Sequence, residues 1–184
     1  MTPRYPIVFW DSGGTIFHFA DRPGGFTDPS PAQVTAGRPA RAAKALEMFG
    51  HPRPVDLPGL LSELESELKA RHGLRYSFET LAAGLYQRIG LPAQLPEELL
   101  LADAIAGPRY RSWLFDGVAE ALDALSAAGV RMGIIADTVW TSRMLRRALA
   151  GVGLAGRFGL VTLPTSSSCR SCKTASRWST SPGR

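Results

Sequence analysis

Pro6-Ile7-Val8-Phe9-Trp10-Asp11-Ser12-Gly13-Gly14-Thr15-Ile16 is the stretch on which the fold turns. Its first five residues form a short apolar, β-favouring run, and Asp11-Ser12-Gly13-Gly14 is a turn signal that bounds it. The pattern predicts a buried strand ending in a loop. Glycines in such a loop let the backbone bend sharply and bring its N–H groups toward a ligand. A carboxylate at the strand end can act as a nucleophile. Taken alone, Asp11 reads equally as a turn or helix-cap aspartate.

Outward from this stretch, Pro23, Gly24, Gly25, Pro29, Pro31 and Pro39 predict an irregular segment. Apolar residues at helical spacing then predict helices over 39–49, 57–71, 78–89 and 96–106, the last opening on Pro96-Glu97-Glu98. This block carries no strong strand signal and is expected to be a helical insertion. After Trp113 the pattern changes. A helix is expected over 116–127 with Gly129 as its cap, a strand over 130–135, a helix over 141–150 and a strand over 158–162. Arg146 and Arg147 are expected near the C-terminal end of the third of these, where the dipole favours cations. Such an order is α/β and implies a parallel, Rossmann-like sheet. Ligands bind such sheets beyond the carboxyl ends of the strands, where Asp11 and Asp137 both fall.

Composition narrows the classes. The chain has 184 residues, 45% apolar and 20% charged, as an ordinary globular protein does. No apolar run approaches the roughly 20 residues that span a bilayer, so no membrane association is expected. The N-terminus has no leader pattern, and a cytoplasmic location is expected. The net charge of +5 is unevenly placed. Arg143, Arg146, Arg147, Arg157, Arg170, Lys173, Arg177 and Arg184 follow Thr138 with no acidic residue among them, so the rest of the chain is net negative. That basic end is not a dense Lys/Arg run and holds one aromatic past Phe158, Trp178, so no nucleic-acid partner is expected. Cys169 and Cys172 have C-x-x-C spacing, but no second ligand pair accompanies them, and they are read as incidental thiols. Oligomeric state is not legible.

The stretch from Ile7 to Ile16 resembles the first motif of the haloacid dehalogenase-like (HAD) hydrolase superfamily, an apolar strand followed by Asp-x-Asp-Gly-Thr-Leu/Ile. Asp11 falls on the nucleophile, Gly14 and Thr15 on the substrate-binding Gly-Thr, and Ile16 on the apolar residue after it. The segment from Phe115 to Ile135 is similar to the helix and strand leading into the family's second motif, which places Ala136-Asp137-Thr138 at that motif's end. The resemblance covers Pro6 to about Thr162. It implies a HAD-like α/β core from 1–20 and 111–163, incomplete, with an inserted α-helical cap over 21–110. It also implies hydrolysis of a small phosphorylated metabolite through a covalent intermediate on Asp11, with Asp137 and Thr138 as further substrate-binding residues. Mg²⁺ is the implied cofactor, held by Asp11 and the backbone carbonyl of Gly13.

Three features depart from the family's pattern. Gly13 stands where phosphatases carry a second Asp that shuttles protons; branches that cleave carbon–halogen or carbon–phosphorus bonds also lack it. Ala136 has no hydroxyl for a phosphoryl group. No Asp or Glu follows Asp137, and Lys173 is the only lysine after Lys69. A dehalogenase-type hydrolase and a non-catalytic HAD-like remnant therefore stand as alternatives. Beyond Leu163 the chain turns Ser-, Thr- and Arg-rich, and 164–184 is expected to be a disordered or aberrant tail produced by truncation or a frameshift.

Overall fold

The computed structural model describes residues 7–92 and 94–162. Three strands, β1 (Ile7–Trp10), β2 (Arg131–Ile135) and β3 (Leu160–Thr162), form one parallel sheet in the order β1-β2-β3. Ile7 lies opposite Arg131, and Gly133 lies opposite Leu160. The mixed α/β architecture with a parallel sheet is the expected one. The tail over 164–184 and both cysteines lie outside the described residues.

Alternation along the strands sorts their side chains onto two faces. Trp10, Met132, Ile134 and Val161 turn inward, against a cluster that includes Val118, Leu122, Leu145 and Leu149. On the other face Ile7, Phe9, Ile135 and Leu160 are exposed. β1 is thus half-covered, a correction to the expectation of a buried strand: among the described residues nothing packs on its outer face. Its continuous apolar run could not distinguish one covered face from two.

Between β1 and β2 lie α1 (Pro31–Ala36), α2 (Arg38–Met48), α3 (Leu57–His72), α4 (Phe78–Arg88) and α5 (Leu95–Ala106), followed by α6 (Val118–Ala127); α7 (Ser142–Gly151) joins β2 to β3. Apolar side chains from α2 to α5, among them Leu46, Leu61, Leu85, Tyr86 and Ile105, form a second apolar cluster. α7 serves both clusters. Its Met144 and Ala148 belong to the helical cluster and its Leu145 and Leu149 to the sheet-side one, because its apolar residues cover a wide arc of the helix.

Several local expectations change. α1 falls in the segment expected to be irregular; Ser30 and Gln33 cap it reciprocally, the Ser30 N–H donating to Gln33 Oε1 at 2.7 Å, with Pro31 at its first turn. α6 begins at Val118, because Gly117 (φ 80°) turns the chain into it, and Gly129 (φ 76°) ends it as expected. α7 runs one residue further than expected, so Arg146 and Arg147 do not sit in its last turn. Arg147 instead pairs with Asp103, while Arg143 reaches Glu79 at 2.9 Å and Asp103 at 3.0 Å, tying α7 to α4 and α5. Finally, β3 starts at Leu160, two residues later than expected. Among the described residues no helix is long and apolar enough to cross a membrane.

Candidate active site

The loop after β1 is held by its own backbone. The Ser12 carbonyl accepts from the N–H groups of Ile16 at 3.0 Å and Phe17 at 2.9 Å, and Gly14 N–H donates to the Phe17 carbonyl at 2.8 Å. Gly14 has φ 79°, and a Cβ there would meet the Phe19 ring at 3.1 Å, so both backbone and space call for glycine. Further on, the loop is stitched to the segment before α6. Phe115 N–H donates to the Ile16 carbonyl at 3.1 Å and His18 N–H to the Trp113 carbonyl at 2.7 Å. Trp113 is fully buried, its indole N–H donating to the Pro29 carbonyl at 2.9 Å. Asp11 therefore emerges from an anchored loop at the carboxyl end of β1.

The carboxyl ends of β1 and β2 open onto a cavity of about 410 Å³. Asp11, Gly13, Asp137 and Thr138 line it. Gly14 and Thr15 do not: the Gly14 N–H is engaged within the loop, and Thr15 is exposed to solvent. Asp137 does not cap the following helix. That role falls to Thr141, whose Oγ1 accepts from Met144 N–H at 3.4 Å. Thr138 Oγ1 accepts from Trp140 N–H at 3.3 Å. Among the described residues neither the Asp11 nor the Asp137 carboxylate makes a hydrogen bond or ion pair.

His18, Trp140 and Arg109 are among the further residues that line this cavity. His18 stacks on Phe115 with ring centroids 3.7 Å apart. Arg109 lies in the segment after α5, its guanidinium carbon 5.0 Å from the ring centroid of Trp113 and 4.3 Å from that of Trp140. Desolvation pulls its pKa down to about 10, which still leaves it charged at neutral pH. Among the described residues no carboxylate or carbonyl accepts from it. No motif or periodicity singled out these positions; Arg109-Tyr110-Arg111 reads in sequence as an ordinary polar link.

The oxygen donors at hand, the Asp11 and Asp137 carboxylates and the Gly13 carbonyl, suit a hard cation such as Mg²⁺. That ion is commonly held by one or two carboxylates and keeps several waters or substrate oxygens. Among the described residues no three His, Cys, Asp or Glu side chains gather into a metal-binding group.

No family model and no curated protein matches the chain. Solved structures do. A 2-haloacid dehalogenase from Pseudomonas syringae pv. Tomato is 21% identical over 86% of this chain and 64% of its own, with a TM-score of 0.48. A predicted phosphoglycolate phosphatase from Haemophilus somnus is 11% identical over 89% of this chain and 64% of its own, at 0.36. A structure from Bacillus subtilis, described as a HAD-hydrolase and bound to magnesium, is 16% identical over 88% of this chain and 66% of its own, at 0.40. The chain thus spans about two thirds of their length. These solved structures are HAD-type hydrolases of both phosphatase and dehalogenase kinds. None of the three reaches a TM-score of 0.5.

Proposed function

We propose that this chain carries a HAD-type hydrolase site in which Asp11 is the nucleophile and the substrate is a small phosphorylated metabolite. One observation supports this above the others: Asp11 and Asp137 stand at the carboxyl ends of adjacent parallel strands and line one cavity with Arg109. On this reading 21–110 form a cap over a core made by 1–20 and 111–163.

Asp11 attacks phosphorus, the ester oxygen leaves, and an aspartyl phosphate forms; water then releases phosphate and regenerates the carboxylate. The departing oxygen needs a proton. Gly13 has none to give, so the candidate among the described lining residues is His18. Arg109 offsets the repulsion between the carboxylate and an anionic substrate. Mg²⁺, when bound, would be held by Asp11, the Gly13 carbonyl and Asp137 and would neutralise phosphoryl charge.

Gly13 also favours a second reading, attack of Asp11 on a carbon bearing halogen, because a halide leaves without a proton. A panel of phosphomonoesters and 2-haloacids, each with and without Mg²⁺, separates the two. Mg²⁺-dependent phosphate release that Asp11→Asn lowers at least ~10³-fold is expected; halide release alone selects the second reading. Turnover untouched by Asp11→Asn, or none on any compound, rejects both.

A further inference from the structure

Arg109 is a half-buried cation with no anionic partner among the described residues. A guanidinium has five N–H donors, and drawing them partly out of water without acceptors has a cost, although none of the Arg109 nitrogens is both fully buried and unpartnered. The Trp113 and Trp140 rings, 5.0 and 4.3 Å from it, offset part of that cost but accept none of those in-plane bonds. The same side chain forms part of two cavity walls. Beside the Asp11 cavity lies a second one of about 500 Å³, and Arg109, Trp140 and Ala148 line both.

The second cavity has a distinct chemistry. Its walls are mostly apolar, with Phe49, Met144 and Trp140, and it also takes in Met48 and Leu100, which are 75% and 49% exposed. Of its other basic residues, Arg41 is committed to the Ala104 and Ile105 carbonyls and Arg147 to Asp103. Lys44, exposed at its edge, makes no ion pair among the described residues. A half-buried cation, unpaired among the described residues, stands where a polar cavity with a carboxylate meets an apolar one with uncovered side chains.

We infer that the substrate is an amphipathic oxyanion, its reacting anionic group held by Arg109 beside Asp11 and its apolar body lying past Trp140 against Met48, Phe49, Leu100 and Met144. This rests on the reading of the Asp11 cavity as the substrate site. It adds a substrate class: phosphate esters of apolar alcohols rather than of sugars. Arg109 supplies paired N–H donors to two oxygens of the anion, as a planar fork does for phosphate. The tryptophans hold the fork in place.

Binding of phenylphosphonate, which cannot be hydrolysed, tests this without turnover. Calorimetry and tryptophan fluorescence compare it with methylphosphonate and benzyl alcohol. Phenylphosphonate is expected to bind at least ~10-fold more tightly than methylphosphonate, because the ring is buried, and benzyl alcohol only weakly. Arg109→Met, which keeps the packing and removes the donors, should weaken phenylphosphonate ~10- to 100-fold and leave benzyl alcohol unchanged. Arg109→Lys should fall between. Leu100→Ser should weaken phenylphosphonate and not methylphosphonate, an arm that stands even where Arg109→Met fails to fold.

Equal affinity of wild type and a folded Arg109→Met, or no advantage of phenyl over methyl, overturns the inference. Asp11→Asn should bind phenylphosphonate at least as tightly as wild type. Arg109-dependent binding without any turnover would remove the hydrolase reading and keep the anion site; Asp11-dependent turnover indifferent to Arg109 would do the reverse.

Discussion

Gly107 closes α5 with φ 75°, a conformation that costs an L-residue roughly 1–2 kcal/mol. A Cβ there would sit 2.6 Å from Arg41 Nη2 and 2.7 Å from Val34 Cγ1. Relief would push Arg41 off the Ala104 carbonyl, which it now meets at 2.8 Å. Gly107→Ala should therefore lower the unfolding free energy by about 2–4 kcal/mol, seen as a lower urea midpoint at unchanged slope. A loss under about 0.5 kcal/mol would show that neither strain nor crowding is real. At this scale the sequence was an uneven guide. Asp11 and Gly13 stood out only through the resemblance of the whole stretch from Ile7 to Ile16 to a known motif, since Asp-Ser-Gly-Gly alone reads equally as a turn. Arg109 and His18 did not, because a single side chain reaching a cavity from a connecting segment leaves no period and no spacing to read.

Helices were legible where leucines recurred at helical spacing, as in α3 and α4, and illegible in α1, whose Ser30-Pro31-Ala32-Gln33 cap lay among prolines that signal loop. What joins the helices was not legible at all. Glu65 on α3 accepts from the Tyr76 hydroxyl at 2.7 Å and from Arg38 of α2 at 2.9 Å, with Lys69 at 3.2 Å. Burial alone would push the Glu65 carboxyl up; the Tyr76 hydrogen bond, Arg38 and Lys69 outweigh it and hold the group below the usual glutamate range. A depressed folded-state value means that the stabilisation is complete above the unfolded value near ~4.3 and drains away as pH falls below it. Glu65→Gln should cost about 1–2 kcal/mol at pH 7. The gap between variant and wild type should narrow as unfolding is followed from pH 5 toward pH 3. A gap independent of pH would mean that the carboxylate's charge is not what joins α2 to α3.

Across the whole molecule, two apolar clusters meet on α7, and the cavity with Asp11 opens beside that shared helix. The order of strands and helices made the parallel sheet legible, since only crossover connections separate the strands. The exposed outer face bearing Ile7, Phe9, Ile135 and Leu160 was not: which faces are covered depends on what packs there, and an apolar run looks the same either way. In the proposed reaction Asp11 forms a covalent bond with substrate. Hydroxylamine attacks the acyl carbon of an aspartyl phosphate or aspartyl ester alike and leaves a hydroxamate on the protein. Incubating the enzyme with a turned-over compound and hydroxylamine, then mapping peptides by mass spectrometry, should place a substrate-dependent hydroxamate on Asp11. Steady turnover under the same conditions with Asp11 unmodified would contradict it.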